Sequence, residues 1–320
     1  MPSSHIRAYL LGFLVPLGLC FTLAAAAVHG PGAGAWGHVT RVLDSFAVHF
    51  LIGAVVIALL VAVLRAVWTS SALIGLVLLV AVPMAWSHIA LTQPLATDLQ
   101  PNLRILWFNV LAENQVQTAE ISERLLAEDP DVIILAEPKP FRMRPNPLEA
   151  SHPYTLGCTQ LCELFILSKV PFAEPLLTEL GPLFEDRLAK VELTLNGSVP
   201  FSLSVAHMSK PWYIGLTERE DHRLDEHISA QTGPHILIGD FNAAPWSHRI
   251  KRRISQSTLR GVRTPIGTWP VTLGRFGIPI DQVFVANGAQ VVSAVPWGHD
   301  LGSNHLGLLV DLHIPKADAQ

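Results

Sequence analysis

His235-Ile-Leu-Ile-Gly239-Asp240-Phe241-Asn242 is the stretch on which the reading of this chain turns. Residues 235–239 form a short apolar run, the pattern of a buried strand. The run ends in an acid and an amide two residues apart, so both reach one polar pocket. An unpaired carboxylate in a core costs several kcal/mol. The placement therefore suits chemistry better than packing. Ser303-Asn304-His305 sets a second polar group beside an apolar run further along.

Outward from this strand the pattern is mixed α/β. Strands are expected at 103–110, 131–136, 165–167, 188–195, 201–206, 280–285 and 306–314. Asn196-Gly197, between two of them, is a hairpin signal. Helical spacing covers 118–128, with Ile121, Leu125 and Leu126 on one face, and Asp129-Pro130 stops it. A polar helix is expected over 218–230. Residues 103–315 thus read as one α/β domain, with a tail at 316–320.

Asn109, Glu137, His207, Asp240, Asn242, Asp281 and His305 each stand at or beside the end of a strand-like run. Any one of them alone reads as a turn or cap residue. As a set they match the strand-end rim where α/β folds place their sites. Glu137 is a hard oxygen ligand and Asn109 a neutral one; together they suit Mg²⁺ or Mn²⁺. Asp240 can orient or deprotonate an attacking water, with Asn242 fixing its geometry or holding the phosphate. His207 and His305 can donate to charge developing on phosphorus. Asp281 can hold the His305 ring in one tautomer. The sum is metal-assisted hydrolysis of a phosphoester or phosphoanhydride. The sequence has no Gly-x-Ser-x-Gly elbow and no P-loop, which argues against Ser-His-Asp acyl transfer and nucleotide-driven work.

The N-terminal third is different in composition. The 320-residue chain is 50% hydrophobic and 15% charged, against about 25% charged in an average soluble domain. The deficit is concentrated: before Leu103 the formally charged side chains are Arg7, Arg41, Asp44, Arg65 and Asp98. Uncharged stretches at 8–28, 46–64 and 71–91 are each long enough to cross a bilayer, which takes about 20 apolar residues. Pro16, Gly53, Gly75 and Pro83 are tolerated in membrane helices, and Trp36, Trp68 and Trp86 fall near the interfaces. Residues 1–95 are therefore expected to be a transmembrane anchor of about three helices, and 96–102 a linker. Arg7 and Arg65 mark the cytoplasmic side, which leaves the C-terminal domain outside the cytoplasm of a bacterial inner or plasma membrane. A signal peptide in place of the first span, with Ala24 to Ala27 near the cleavage site, leaves that domain external too. Cys158 and Cys162 suit a disulfide in an oxidising compartment. A zinc site lacks a second ligand pair, and two free buried thiols are the other alternative. Arg249-Ile-Lys251-Arg252-Arg253 reads as a solvated helix face, or else as a phosphate or head-group contact. The net charge of −4 gives no hint of broad nucleic-acid affinity.

Asn109, Leu135-Ala-Glu137, His207 to Pro211, Gly239-Asp-Phe-Asn242, Ile280-Asp281 and Ser303-Asn-His305 occur in the order seen in the endonuclease/exonuclease/phosphatase superfamily. Residues 103–315 resemble it. The resemblance implies a four-layered α/β sandwich, two mixed sheets packed face to face and flanked by helices. It also implies Mg²⁺-dependent phosphoester hydrolysis, with Glu137 and Asn109 at the metal and Asp240 and Asn242 at the nucleophilic water. His207 and His305 would face the phosphate, and Asp281 would pair with His305. Three spans ahead of such a domain look like a membrane-anchored branch that includes a bacterial teicoplanin-resistance membrane protein. That branch implies lipid-linked phosphates as substrates, outside the cytoplasm. Two departures stand out. Asn304 replaces the acid of the usual Ser-Asp-His motif, an acid that commonly binds metal or polarises the His. Asp281 is followed by Gln282 where the family often has His.

The expected function is a membrane-anchored, extracytoplasmic phosphohydrolase whose partners are membrane lipids and a lipid-linked phosphate. Its tether holds the site near head groups, which raises effective concentration. Trp212-Tyr213-Ile214 is an interfacial loop on this reading, and ordinary packing otherwise. A surface nuclease is the alternative, disfavoured by the lack of a long basic stripe. A membrane sensor or scaffold with a weakened site is a further one, motivated by Asn304. A transporter fares poorly, for the three spans carry no internal repeat.

Overall fold

The computed structural model describes residues 2–32, 36–142, 146–157, 163–213 and 215–317. Cys158, Cys162 and Ile214 lie outside the described residues, and the expected disulfide lies there with the cysteines. The chain divides into two units, Met1–Ala90 with Ala243–Arg252, and Leu91–Asn242 with Arg253–Gln320.

The first unit is built on helices α1 (Pro2–Ala25), α2 (Gly37–Leu43), α3 (Ala47–Val63) and α4 (Val67–Leu91). Three segments, Ser4–His29, Gly37–Val63 and Val67–Leu91, are long and apolar enough to cross a membrane. Inside lipid a helix satisfies its own backbone, so unbroken apolar runs become helices there. The third begins four residues before the expected start, at Val67 rather than 71. Arg7, near the start of α1, donates from Nε to Leu64 O at 2.7 Å and from Nη2 to Arg65 O at 3.4 Å. These carbonyls lie just past the end of α3, where a helix leaves acceptors unpaired. Arg7 and Arg65 therefore share one end of an antiparallel α1/α3 pair. Ala58, Val61 and Leu73 pack with Leu11, Leu14 and Val15. Within the same unit, buried Asp44 accepts from His248 N at 2.8 Å, and Ala244 N donates to Ser45 Oγ at 3.1 Å. Cys20, on α1, is free and exposed.

The second unit carries two sheets. In chain order the strands are β1 (Thr92–Gln93), β2 (Leu103–Asn109), β3 (Val132–Ala136), β4 (Tyr154–Gly157), β5 (Leu164–Ser168), β6 (Phe172–Thr178) and β7 (Leu188–Leu193). There follow β8 (Phe201–His207), β9 (His235–Asp240), β10 (Arg260–Val262), β11 (Asp281–Ala286), β12 (Gln290–Trp297) and β13 (Gly307–His313). One sheet has the order β1-β10-β11-β9-β8-β7-β6, and the other β12-β13-β2-β3-β5-β4. Both are mixed: β2/β3 and β8/β9 are parallel, while β9/β11 and β2/β13 are antiparallel.

Alternation explains the layers. On β2, Leu103, Ile105 and Trp107 face the space between the sheets, where they meet Val205, Ile236, Ile238 and Val283. Leu106 and Phe108 face the other way, against Ile121 and Leu125 of α5 (Thr118–Ala127). Across the second sheet, α6 (Leu216–Ser229) meets β8, with His227 Nε2 2.8 Å from Ser204 Oγ. The result is the expected sandwich, two mixed sheets flanked by helices. The Asn196-Gly197 turn joins antiparallel β7 and β8, with Gly197 at φ +75°.

Two segments gain detail, and one expectation needs correction. Part of the linker is laid on the sheets: Ala96 N donates to Val291 O at 2.8 Å, and Asn102 exchanges side-chain and backbone hydrogen bonds with Ile314. The tail is tied down at its start, where Ala317 N donates to Gly197 O. The basic cluster sits on helix α7 (His248–Ser255), but it is not a solvated face. Arg253 is 2% exposed and grips Asp221 at 2.7 Å and Asp225 at 2.8 Å. Lys251 Nζ donates to Val28 O at 2.7 Å within the first unit.

Candidate active site

Strand register assembles the site. His207, Asp240 and Asp281 are direct neighbours across β8, β9 and β11. On the other sheet Asn109 ends β2 opposite Ala136, the residue before Glu137. His305 stands just before β13, which pairs with β2. Each residue thus ends, opens or closely flanks a strand whose apolar positions are locked in a core.

Local geometry explains the Gly-Asp-Phe-Asn string. Gly239 presses so close to β8 that a Cβ would collide with the Ala206 carbonyl oxygen. Asp240 follows; its Oδ1 accepts the Asn242 N–H at 2.8 Å. Asn242, at φ +48°, turns the chain and donates from Nδ2 to Met208 O at 2.8 Å. Glu137 also has positive φ, +49°. Non-glycine residues in this region are strained, and such strain gathers at functional sites.

Asp240 Oδ2 is the hub. Asn109 Nδ2 lies 3.4 Å from it, His207 Nε2 3.8 Å and His305 Nε2 4.0 Å. Glu137 Oε1 lies 3.3 Å from Asn109 Nδ2 and 3.9 Å from His207 Nε2, and Glu137 Oε2 accepts from Ala112 N. His305 Nδ1 lies 2.9 Å from Asp281 Oδ2, whose other oxygen accepts Trp107 Nε1–H at 2.8 Å. His207 Nδ1 lies 3.3 Å from Glu163 Oε2, off the line of a good hydrogen bond. Ser303 Oγ donates to Asn109 O and accepts His305 N–H, tying the loop ahead of β13 to the end of its neighbour β2.

The charges around Asp240 oppose and support one another. Burial pushes the Asp240 carboxyl above its ordinary range, Asp281 adds to the rise, and the two imidazoles oppose it. For His305 burial works against a charged ring, but the Asp281, Asp240 and Glu137 carboxylates outweigh it and hold the pKa up at about 9. The ring is an imidazolium at neutral pH.

The donor set fits a hard cation. Oxygens of Glu137 and Asp240 converge beside the Asn109 amide, and a largely buried group of carboxylates calls for a counter-charge. Asp240, Asp281 and His305 also have ligand atoms within 4.8 Å of one another. Both Asp281 oxygens are already engaged, by Trp107 and His305. Glu137 and Asp240 fit a cation better; Asn109 turns its Nδ2 to both and its Oδ1 accepts Leu111 N–H at 3.1 Å, so it would ligate only with its amide turned over.

A family model described as Endonuclease/Exonuclease/phosphatase family matches residues 106–305. The chain belongs to the endonuclease/exonuclease/phosphatase family. Members of this family are phosphoester hydrolases, generally metal-dependent. Among solved structures, the chain is similar to an endonuclease/exonuclease/phosphatase from Beutenbergia cavernae DSM 12333, at 20% identity and a TM-score of 0.56 over 68% of this chain and 72% of that one. A conserved protein of unknown function from Enterococcus faecalis V583 matches at 17% identity and 0.54, over 66% and 100%. An endonuclease/exonuclease/phosphatase from Bacteroides vulgatus matches at 13% and 0.52, over 66% and 98%. At these identities the likeness is one of fold. No curated protein matches the sequence.

Within this endonuclease/exonuclease/phosphatase domain, the structure brings Asn109, Glu137, His207, Asp240, Asn242, Asp281 and His305 into one cluster. Asn304 is exposed; its carbonyl accepts from Val271 N at 2.8 Å and its side chain makes no hydrogen bond to the cluster. Trp107, Glu163 and Arg187 were not anticipated from sequence. Glu163 had a usable signal: an acid directly ahead of β5, as Glu137 directly follows its partner β3. Arg187 similarly opens β7. Trp107 gave none, because an inward tryptophan reads as core.

Proposed function

We propose that this chain is a membrane-anchored, Mg²⁺- or Mn²⁺-dependent phosphohydrolase that acts on a lipid-linked phosphate outside the cytoplasm. The observation that carries the reading is the convergence of Asn109, His207 and His305 on one Asp240 oxygen, with Glu137 alongside. A divalent ion held by Glu137 and Asn109, with Asp240 in reach, would supply a Lewis acid for the phosphate oxygens.

The chain's own groups do the rest. Asp240 is the acceptor for a proton of the attacking water, and the Asn242 N–H fixes the orientation of that carboxylate. His305, protonated, presents Nε2–H to a phosphoryl oxygen while Asp281 holds Nδ1. His207 presents Nε2 from the other side, with Glu163 behind it. Donors preset for charge that grows in the transition state need no reorganisation. Asn304 leaves the rim one negative charge lighter than the usual family motif, which suits a highly anionic substrate.

Three apolar helices support the membrane tether. Arg7 and Arg65 at one end of the α1/α3 pair support a cytoplasmic placement of that end. The third span then returns the chain to the opposite side. The test is phosphate release from a polyprenyl or other lipid phosphate by detergent-solubilised full-length protein, with and without EDTA. Asp240→Asn is expected to lower kcat by ~10²–10⁴, the range for a general base. Turnover of soluble esters alone would remove the lipid assignment. Undiminished turnover in EDTA would remove the metal.

A further inference from the structure

A cavity of about 240 Å³ opens beside the site, with Glu137, His207 and Asn242 in its wall. It is far larger than the roughly 10–15 Å³ that one water needs. Four basic side chains also line it: Lys139, Arg142, Arg187 and Lys210. The facing carboxylates are Glu137, turned into the cluster, and Glu163, held ionised despite its burial by His207, Arg187 and Arg142. Cations outnumber anions before any ligand enters.

Two guanidiniums have donors to spare. Arg187, 8% exposed, reaches His207 O and Glu163 Oε2 at 3.3 Å each, yet its Nε–H has no partner. The buried Arg142 Nε–H has none either. Buried donors without acceptors are rare because they are costly. A phosphate is the acceptor-rich group that guanidinium forks match. The wall is also firm. Fully buried Glu220 accepts from Ser209 N at 2.8 Å and Ser209 Oγ at 2.5 Å, fixing the residue before Lys210. Lys139 N donates to Glu137 O at 2.8 Å in a tight turn.

The remaining wall is apolar. Phe184 and Tyr213 line the cavity with ring centroids 6.3 Å apart. Their sequence neighbours Leu183 and Trp212 are 68% and 54% exposed. A basic pocket flanked by exposed apolar side chains fits a ligand with an anionic head and a greasy remainder.

We infer that this cavity holds the second phosphate of a diphosphate monoester of an apolar alcohol, next to the scissile terminal phosphate. The inference rests on the hydrolase reading for the position of the terminal phosphate; the second phosphate follows from the cavity itself. Arg142 and Lys210 line the cavity and Asp240 does not, so the second phosphate is assigned to these two cations and the terminal one to the hub. In the reaction the water oxygen bonds to the terminal phosphorus and the anhydride P–O bond breaks. The bonding pair stays on the bridging oxygen, which leaves as the monophosphate ester. Inorganic phosphate is the other product, and Asp240 passes the water's proton to solvent.

Binding tests this without turnover. Farnesyl methylenediphosphonate and farnesyl monophosphonate are titrated calorimetrically into the full-length protein in detergent with Mg²⁺. The diphosphonate is expected to bind at least tenfold more tightly. Arg142→Gln or Lys210→Gln is expected to erase most of that advantage, and Lys139→Gln replaces the first if it fails to fold. Equal affinities in the parent protein, or an advantage that no substitution touches, overturn the subsite. Adenosine methylenediphosphonate binding as tightly as the farnesyl compound overturns the apolar part, in favour of a nucleoside diphosphate. Selective diphosphonate binding without phosphate release from farnesyl diphosphate leaves the subsite standing and sinks the hydrolase reading.

Discussion

His305 shows how much one carboxylate behind a ring does. Asp281 reaches Nδ1 at 2.9 Å, and the ring's pKa stands at about 9 although burial opposes the charge. The sign follows directly. The folded value lies above the ordinary ~6.5, so the charged ring stabilises the fold fully below about 6.5, and that contribution fades as pH rises through about 9. Catalysis that needs the imidazolium fails over the same alkaline limb. Asp281→Asn removes the leading attraction, so the limb of kcat/KM is expected to move toward neutral pH. At pH 8 the variant should lose ~10–100-fold, and less at pH 6, as measured by full pH–rate profiles. An unshifted limb would show that His305 does not act as the donor. At this scale the sequence was informative for residues that end strands. Asp240, His305 and Glu137 are polar interruptions of apolar runs, and packing gives no reason for them. Trp107 was invisible for the converse reason, since its ring packs as core while only its N–H serves Asp281. Glu163 carried a signal as an acid directly ahead of β5, but its place beside Glu137 follows only from β5 pairing with β3 across a long connection.

At the scale of elements, the clearest consequence concerns β8, β9 and α6. Ser204 Oγ on β8 lies 2.8 Å from His227 Nε2 of α6 and 3.0 Å from His235 Nε2 of β9. A hydroxyl has one proton, so one ring accepts from it and the other donates to it. Burial keeps both rings neutral, with pKa values of about 4 for His227 and about 3 for His235. The unfolded chain takes up these protons near pH ~6.5 and the folded one does not. Stability is therefore lost as pH falls from about 6.5 toward 3, at up to ~1.4 kcal/mol per pH unit for each ring. His235→Gln keeps a hydrogen-bonding group without the titration. It should be less stable at pH 7.5 yet show a shallower loss between pH 6.5 and 4 in guanidinium melts; an equal slope would reject the assignment. Arg253 on α7 gives a second case. Its side chain is 2% exposed between Asp221 and Asp225, so its removal takes a buried counter-charge from both carboxylates. Arg253→Ala is expected to cost ~3–5 kcal/mol, the usual penalty for breaking a buried pair, in thermal or chemical melts. A loss under ~1 kcal/mol would mean the pair is solvated as exposed ion pairs are. The strands that the sequence did not reveal, β1, β4, β6, β10 and β12, lie at or next to sheet edges. Edge strands are half-exposed and lose the apolar pattern: β6 carries Glu174 and Pro175, and β12 has a register shift between Val291 and Ser293. Central strands, buried on both faces, keep it.

For the whole molecule, composition alone separated an apolar N-terminal third from the α/β domain, because lipid and water demand opposite surfaces. Composition did not reveal that Ala243–Arg252 belongs with the N-terminal helices. Hydrogen bonds from Ala244, His248 and Lys251 help tie it there, and such bonds leave no pattern in composition. Orientation is the remaining whole-molecule question, and the proposed one rests on charge. Arg7 and Arg65 meet at one end of α1 and α3, so their positive charges act together on the same membrane face. The positive-inside rule retains such a face in the cytoplasm. With three spans, a reporter that works only after export, fused after Gln320, should then be active. A reporter that works only in the cytoplasm should be active when fused after Arg65. Arg41 offers the opposite charge bias, but Asp44 stands three residues away and Arg41 Nε is engaged by Gly32 O at 2.6 Å. Replacing Arg7 and Arg65 together by Gln should therefore leave no dominant bias, and both reporter types should give signal from a mixed population. A Gln320 fusion that is inactive in the parent chain and activated by that double substitution would invert the orientation, and with it the extracytoplasmic substrate.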